Sequence, residues 1–558
     1  MKTTFRKSMI WLHTYVGLLA GWLLFVIFLT GTLSYYNHEI THWLTNGKHS
    51  PHSQQVLLDN ALSKLHVEAT NTKRWQISLP DERGSGYRVS YREVNAEPNG
   101  KRAKRVSREI DPVTLEFTDR QQIQGGNFFR TFHYTLSLRQ WGGRYVTGAA
   151  AMAMLIALFT GIYTHRRFFK DFFTIRRNEP KKFTIDLHAM LGVVTIPFCF
   201  VICASVMLIY ISMYQPFAIG HYFDSYRALD KQVSTSHKPL QPAKQIADEP
   251  IEIKSYQSQL NELLGQHWET KYTLEGLTIS NPMDNNAQLV FAKAKHELLS
   301  NKAETYALAR SGELLPEIEA ERTPRMVRRI FYGLHEAHFA PPALRATLFI
   351  LGMMATVLIA TGMVIWLQKR QAKQGKQGKQ AIQANQVNQA KASYVFVEKT
   401  NNGMFYGLSL AVGMYFLCSK LILAASSKGT FNSLGSLSGI DTKVFFITWL
   451  VAVLLSWLQA VKQGKKCLLL LNFITFSTLL AIELGSSNLM SVFSLSKENV
   501  LAYSFDNSFD HSFDLAKATI NFWLLLTCGY FFTALKKTIA KPSSTSAPSL
   551  PPLKEARR

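Results

Sequence analysis

The sequence predicts an α-helical polytopic membrane protein organised around a duplicated four-helix bundle. Three observations lead there: long apolar runs, basic clusters confined to alternate connections, and histidines that recur at matched positions in two halves of the chain. The composition is 47% hydrophobic and only 18% charged, and the two kinds of residue are segregated. The apolar runs are Met9–Tyr36, Tyr145–His165, His188–Tyr214, Ala343–Leu367, Met404–Ala425, Val444–Val461, Cys467–Leu484 and Ala518–Leu535. Each approaches the length of about 20 residues that crosses a hydrocarbon core of roughly 30 Å as a helix. The first is too long for a cleaved leader, and no small-x-small site follows it, so it reads as a retained span.

The formal charge of +24 follows topology. Lys2, Arg6 and Lys7 precede the first run, and Arg166, Arg167, Lys170, Arg176, Arg177, Lys181 and Lys182 lie between the second and third. Lys369, Arg370, Lys373, Lys376 and Lys379 follow the fourth, and Lys462, Lys465, Lys466, Lys536 and Lys537 continue the alternation. This positive-inside pattern expects both termini in the cytoplasm, with the lipid bilayer rather than a nucleic acid as the surrounding partner. The cysteines Cys199, Cys203, Cys418, Cys467 and Cys528 all fall in or beside spans, which leaves the external segments without a disulfide framework.

The chain divides into a first span (1–36), an external α+β domain (37–128), and spans two and three with a basic loop (129–214). A second external domain (215–330), a fourth span (331–367), a disordered linker (368–402), a C-terminal four-span module (403–540) and a disordered tail (541–558) follow. In the first domain Trp75–Leu79 and Tyr87–Tyr91 alternate as half-buried strands around the turn residues Asp81–Gly86, and a third strand ends in Glu109–Phe117. In the second, Ile251–Leu264 reads as a helix, and Tyr272–Ile279, Gln288–Ala292 and Thr305–Ala309 read as strands before a turn at Ser311-Gly312. The linker Gln368–Ala390 is polar and low in complexity.

The first four spans contain a repeat. His13-Thr-Tyr-Val-Gly17 opens span one, and His188-Ala-Met-Leu-Gly192 opens span three. Phe132-His133 precedes Thr160-Gly161, as Leu334-His335 precedes Thr361-Gly362. Parallel repeats imply a pseudo-twofold axis along the membrane normal, which sets His13 opposite His188 and His133 opposite His335, the latter two at the starts of long second and fourth helices. Two imidazoles on facing helices are what a b-type haem needs as axial ligands, and two such pairs at different depths would carry electrons across the membrane. His165 competes for the cytoplasmic site, and His38 and His338 for the external one. His38 and His42 also form a helical HxxxH pair, with His49 and His52 beyond, which is weak as a metal site without a further ligand. No phosphate loop, dinucleotide fingerprint or nucleophile elbow occurs, so an electron carrier of this kind needs membrane quinol or a separate cytoplasmic reductase as donor.

Over residues 1–370 the chain resembles the PepSY-associated transmembrane family, the iron-regulated proteins of bacterial inner membranes. The resemblance rests on Trp11-Leu12-His13 with Gly17, Thr30-Gly31-Thr32-Leu33, Thr160–Arg167, Arg167–Arg176, Asp186-Leu187-His188 with Gly192, and Leu334-His335 with Thr361-Gly362 and Trp366. It implies two periplasmic PepSY-like domains, about two b haems in the bundle, and reduction of ferric siderophores or other ferric chelates on the periplasmic side. Relatives often carry Pro-Phe-His in the third span, where this chain has Pro197-Phe198-Cys199. Arg130, Arg139 and Arg144 are candidates to attract an anionic chelate. The competing readings are a non-redox scaffold or regulator whose external domains bind peptides or proteases, and a transporter.

Overall fold

In a computed structural model the described residues are 2–45, 50–81, 83, 86–93, 105–118, 123–164, 175–214, 220–222, 228, 240, 243, 250–264, 273–295, 298–316, 323–377, 384–427, 439–486 and 510–539. The expected tail at 541–558, His49 and His165 lie outside them.

Four helices make the first bundle: α1 (Lys2–Ser34), α5 (Gly143–Thr164), α6 (Pro180–Ile209) and α9 (Pro342–Gln377). Between α1 and α5 lie α2 (Asn37–Thr45), α3 (Gln54–Glu68), strands β1 (Thr72–Ser78), β2 (Arg88–Glu93), β3 (Arg105–Ile110) and β4 (Phe117–Thr118), and α4 (Asn127–Thr135). Between α6 and α9 lie α7 (Gln257–Leu264), β5 (Leu274–Ser280), β6 (Gln288–Lys293), β7 (Thr305–Ala309) and α8 (Thr323–Glu336). Helix α1 packs on α5 and α9, and α6 packs on the same two helices, so the bundle closes with α1 and α6 diagonal across its centre. The C-terminal module contributes α10 (Ala384–Ser427), α11 (Ile440–Leu458), α12 (Val461–Ser486) and α13 (Asp510–Ile539).

Seven helices among the described residues are long and apolar enough to cross a membrane: α1, α5, α6, α9, α10, α11 and α12. The eighth expected span, Ala518–Leu535, lies within α13 and carries no charged residue. The expected disordered linker differs. Helix α9 continues through Gln377 and α10 begins at Ala384, because Gln, Lys and Ala are good helix formers even in a mostly polar stretch.

The two external segments are not separate domains. Their strands form one seven-stranded antiparallel sheet in the order β4-β3-β2-β1-β5-β6-β7. The seam is β1 against β5, with Trp75 opposite Ile279 and Ile77 opposite Leu277. An antiparallel central pair is what a twofold axis through the sheet generates, so the duplication extends from the bundle into the sheet. One face is apolar. Trp75, Ile77, Val89, Leu277, Ile279 and Leu289 pack against Leu57, Leu58, Leu62 and Leu65 of α3 and Leu260 of α7 in a single core. Each such side chain contributes about 1.5–3 kcal/mol when fully buried. Gln54 of α3 ties the halves together: its amide donates to the Leu274 carbonyl (2.9 Å) and accepts from the Leu274 N–H (3.2 Å).

An ion cluster joins the sheet to the bundle. Glu39 of α2 is buried and bonded to Arg83, between β1 and β2, and to Arg345 at the start of α9; Arg83 also donates to the Tyr35 carbonyl (2.8 Å). The C-terminal module packs on the same region. Trp43 donates to Glu483 of α12 (3.0 Å), which is paired with Lys420 of α10 (3.1 Å). Tyr415 donates to the Gly125 carbonyl (2.8 Å), just before α4.

Candidate functional site

The histidines expected from the repeat meet in the pairs expected. The ring centres of His13 on α1 and His188 on α6 are 6.5 Å apart, and those of His133 on α4 and His335 on α8 are 6.1 Å apart. The first pair lies toward the far end of the bundle, and the second at the end beneath the sheet.

Each imidazole is oriented through Nδ1. His13 Nδ1 lies 2.9 Å from the Ala157 carbonyl and 3.2 Å from Thr160 Oγ1. His188 Nδ1 repeats this on α9, at 3.0 Å from the Leu358 carbonyl and 3.1 Å from Thr361 Oγ1. His133 Nδ1 is 2.7 Å from the Ile27 carbonyl. His335 Nδ1 is 3.2 Å from the Ile202 carbonyl and 2.8 Å from Ser205 Oγ. A carbonyl only accepts, so Nδ1 must carry the proton in each ring, and Nε2 keeps the lone pair that a metal takes.

Glycines make room for the rings. A Cβ at Gly31 would stand 2.6 Å from the His133 ring, and Cβ atoms at Gly161 and Gly362 would stand 3.3 Å from His13 and 3.2 Å from His188. The Thr-Gly pairs of spans two and four therefore serve His13 and His188, not the histidines that precede them in sequence. Thr supplies the oxygen at Nδ1 and Gly the space.

His133 and His335 do not start the long helices. Left-handed residues end their own short helices, Leu136 (φ 52) and Ser137 (φ 57) after α4 and Ala337 (φ 52) after α8, before the spans begin at Gly143 and Pro342. Gly142-Gly143 and Pro341-Pro342 mark these breaks. Of the rivals, His338 lies beside Gly333, with His335 the ring that faces His133. His38 is 4.0 Å from Asp81, and His52 contacts the Val113 carbonyl at 3.0 Å. Cys199 is fully buried on α6 between His188 and Ile202, and the two imidazole pairs form without it. Arg130 is paired with Glu336 (2.5 Å) and Arg144 stacks over Tyr134, so these two cations have local partners.

The residues fit a bis-imidazole haem. Two imidazoles sharing one iron, each with its nitrogen about 2.0 Å from the metal and its ring centre roughly 1.1 Å behind that, would have ring centres about 6.2 Å apart. Both observed separations are close to this. Beside the rings, nothing stands within 4 Å of a Cβ at Gly17, and the nearest atom at Gly192 is 3.7 Å away, so no side chain crowds the turn next to either imidazole. Among the described residues no group of three or more His, Cys, Asp or Glu is arranged around a metal ion. A two-imidazole site leaves the remaining coordination positions to a group that brings its own donors, as a porphyrin does.

Gly31→Val is expected to push the His133 ring off the Ile27 carbonyl and weaken the site beneath the sheet. Gly485→Ala, at a position with nothing within 4 Å, is the control. The check is the haem content of the two purified variants, expected to fall only for Gly31→Val.

Fold and site together define a multi-pass membrane protein whose duplicated bundle pairs histidines at two depths. The chain belongs to the PepSY-associated TM region family, whose model matches residues 10–369. The match takes in the bundle and the sheet and leaves α10–α13 outside. No curated protein matches the chain.

Proposed function

We propose that this protein is a haem b-containing oxidoreductase of a bacterial inner membrane that passes electrons to periplasmic ferric chelates, acting as a ferric-siderophore reductase. The observation that carries the reading is the pair of repeat-related imidazole couples, each with its ring centres 6.1–6.5 Å apart and each with Nδ1 committed to a carbonyl, so that the two rings of a couple could hold one iron between them.

His13 with His188, and His133 with His335, would hold the two haems. One-electron transfer is the chemistry haem supplies when bound. The protein's part is orientation and exclusion of water. Thr160, Thr361 and Ser205 fix the imidazole planes, and the apolar core around Leu24, Phe28, Ala355 and Cys203 keeps the space between the pairs dry. The positive-inside pattern of the basic connections supports a reading with the His13–His188 level near the cytoplasmic face and the sheet in the periplasm. Electrons would enter from quinol or a separate cytoplasmic reductase. Reduction to ferrous iron would release the metal, because siderophore oxygens hold the hard ferric ion far better.

Proteoliposomes containing the full chain and a reduced quinol, given ferric citrate with a ferrous-specific chromogenic chelator, test the reading. It requires ferrous iron to form well above the rate of protein-free liposomes. A rate equal to that background in haem-replete samples would overturn it.

A further inference from the structure

The sheet's second face is polar, and it roofs a cavity of about 570 Å³. Gln76 and Ser78 of β1 and Thr278 of β5 line the roof at the seam between the repeats; Arg325, Arg328, Arg329 and Tyr332 of α8 form the floor, and Lys295 and Lys302 close one side. Among the described residues the lining carries, with Arg105, six cationic side chains and one carboxylate, Glu275, which pairs with Lys295 (2.9 Å). Arg328 donates through Nη2 to the Ile209 carbonyl at the end of α6 (3.0 Å), while its buried Nε has no hydrogen-bond partner. The volume falls within the range of small-molecule sites, roughly 300–1,000 Å³.

The floor leads to the histidines. Arg325, Arg328, Arg329, Tyr332 and His335 follow one another at helical spacing along a single stripe of α8. Tyr332 lines the cavity, and His335 is one turn, about 5 Å, further along the helix. The duplication diverges here. Helix α4, the first-repeat counterpart of α8, turns Phe128 and Phe132 onto Tyr415 and Phe445 of the C-terminal module (ring centres 4.9 and 5.6 Å). The second-repeat helix instead presents arginines to the cavity.

We infer that this cavity is the docking site for a compact polyanionic metal chelate, one whose carboxylate oxygens meet the Arg325–Arg328–Arg329 stripe. Guanidinium forks match carboxylate geometry in two-bond contacts, and six cations gathered in a concave site raise the local concentration of an anion. This rests on the proposed reductase reading and specifies its substrate class as anionic.

The test is equilibrium binding of gallium(III) citrate, a redox-inert analogue, to the full chain in detergent, with haem content measured on the same sample. Metal-free citrate and a cationic trihydroxamate gallium chelate serve as competitors. The anionic chelate is expected to bind at least tenfold more tightly than either, and more weakly as salt is raised. The double substitution Arg325→Glu/Arg329→Glu is expected to weaken it more than tenfold, and so is Lys302→Glu, which lies outside any helix or strand and keeps the test valid if the helix variant fails to fold. Unchanged affinity in Lys302→Glu together with a folded Arg325→Glu/Arg329→Glu would overturn the inference. So would equal binding of citrate alone or of the cationic chelate. A colourless protein that still binds gallium citrate with these preferences would support the docking site and overturn the reductase reading.

Discussion

Replacing His335 by alanine is expected to lower the haem content from about two per chain to about one and to remove the spectral component of the site beneath the sheet. Its partner His133 keeps its own anchor, because Nδ1 bonds to Ile27 of α1 and not to anything on α8. The substitution therefore removes one ligand and leaves the other oriented. His188 and His13 are held by α9 and α5, away from the change, so their component is expected to persist. Added imidazole is expected to restore part of the lost signal by filling the space of the deleted ring. A merely structural role for His335 would not give that rescue. Haem content and reduced-minus-oxidised spectra of His335→Ala, with and without imidazole, are the checks; unchanged haem would remove His335 from the ligand set.

The largest effect on stability is expected at Glu39. The carboxylate is 4% exposed and faces the guanidinium groups of both Arg83 and Arg345. Removing one partner of a buried ion cluster strands the others, at a cost of about 3–5 kcal/mol. Glu39→Gln is thus expected to lower the thermal midpoint of the purified protein clearly, and by more than Lys182→Gln, whose pair with Glu179 is exposed and is worth about 1 kcal/mol or less. Burial pushes the Glu39 carboxyl up, but the Arg83 charge and hydrogen bonds, with Arg345, outweigh it and hold the group below its ordinary range. The folded state then binds this proton less readily than the unfolded state. The stabilisation is complete above the ordinary carboxyl pKa of about 4.3 and is lost as pH falls through the lower folded value. The wild type is therefore expected to lose more stability than Glu39→Gln on acidification below about pH 4.3. Unfolding midpoints of both proteins at neutral and acid pH would reveal a failure of this account if the two curves ran parallel.

Much of the architecture was legible because it depends on local pattern. The apolar runs set the spans, alternation placed β1, β2 and β5–β7 within a few residues, and the duplicated histidines led to the two pairs that the fold brings together. Other features depend on long-range choices that pattern does not encode. Trp75–Ile77 and Leu277–Ile279 alternate in the same way whether their strands are edges of two sheets or the seam of one, so the single sheet was not predictable from either segment alone. Helix α3 escaped notice although Ser53 stands at its N-cap, accepting from Val56 N–H. The breaks after His133 and His335 were signalled by Gly142-Gly143 and Pro341-Pro342 but were overridden by the apolar length that followed. The Thr-Gly motif was visible as a repeat, yet its role was not, because the imidazole it serves comes from another span. The arginine stripe of α8 carries no local signal that the sheet closes over it, because that depends on the pairing of β1 with β5.

The most direct test of the central claim is a dithionite-reduced minus oxidised visible spectrum of the purified full-length chain, with a haem assay giving stoichiometry. Paired or split b-type bands and about two haems per chain are the predicted result. A featureless spectrum from well-folded protein made under haem-sufficient conditions would contradict it, and would leave the imidazole pairs without the iron their spacing fits.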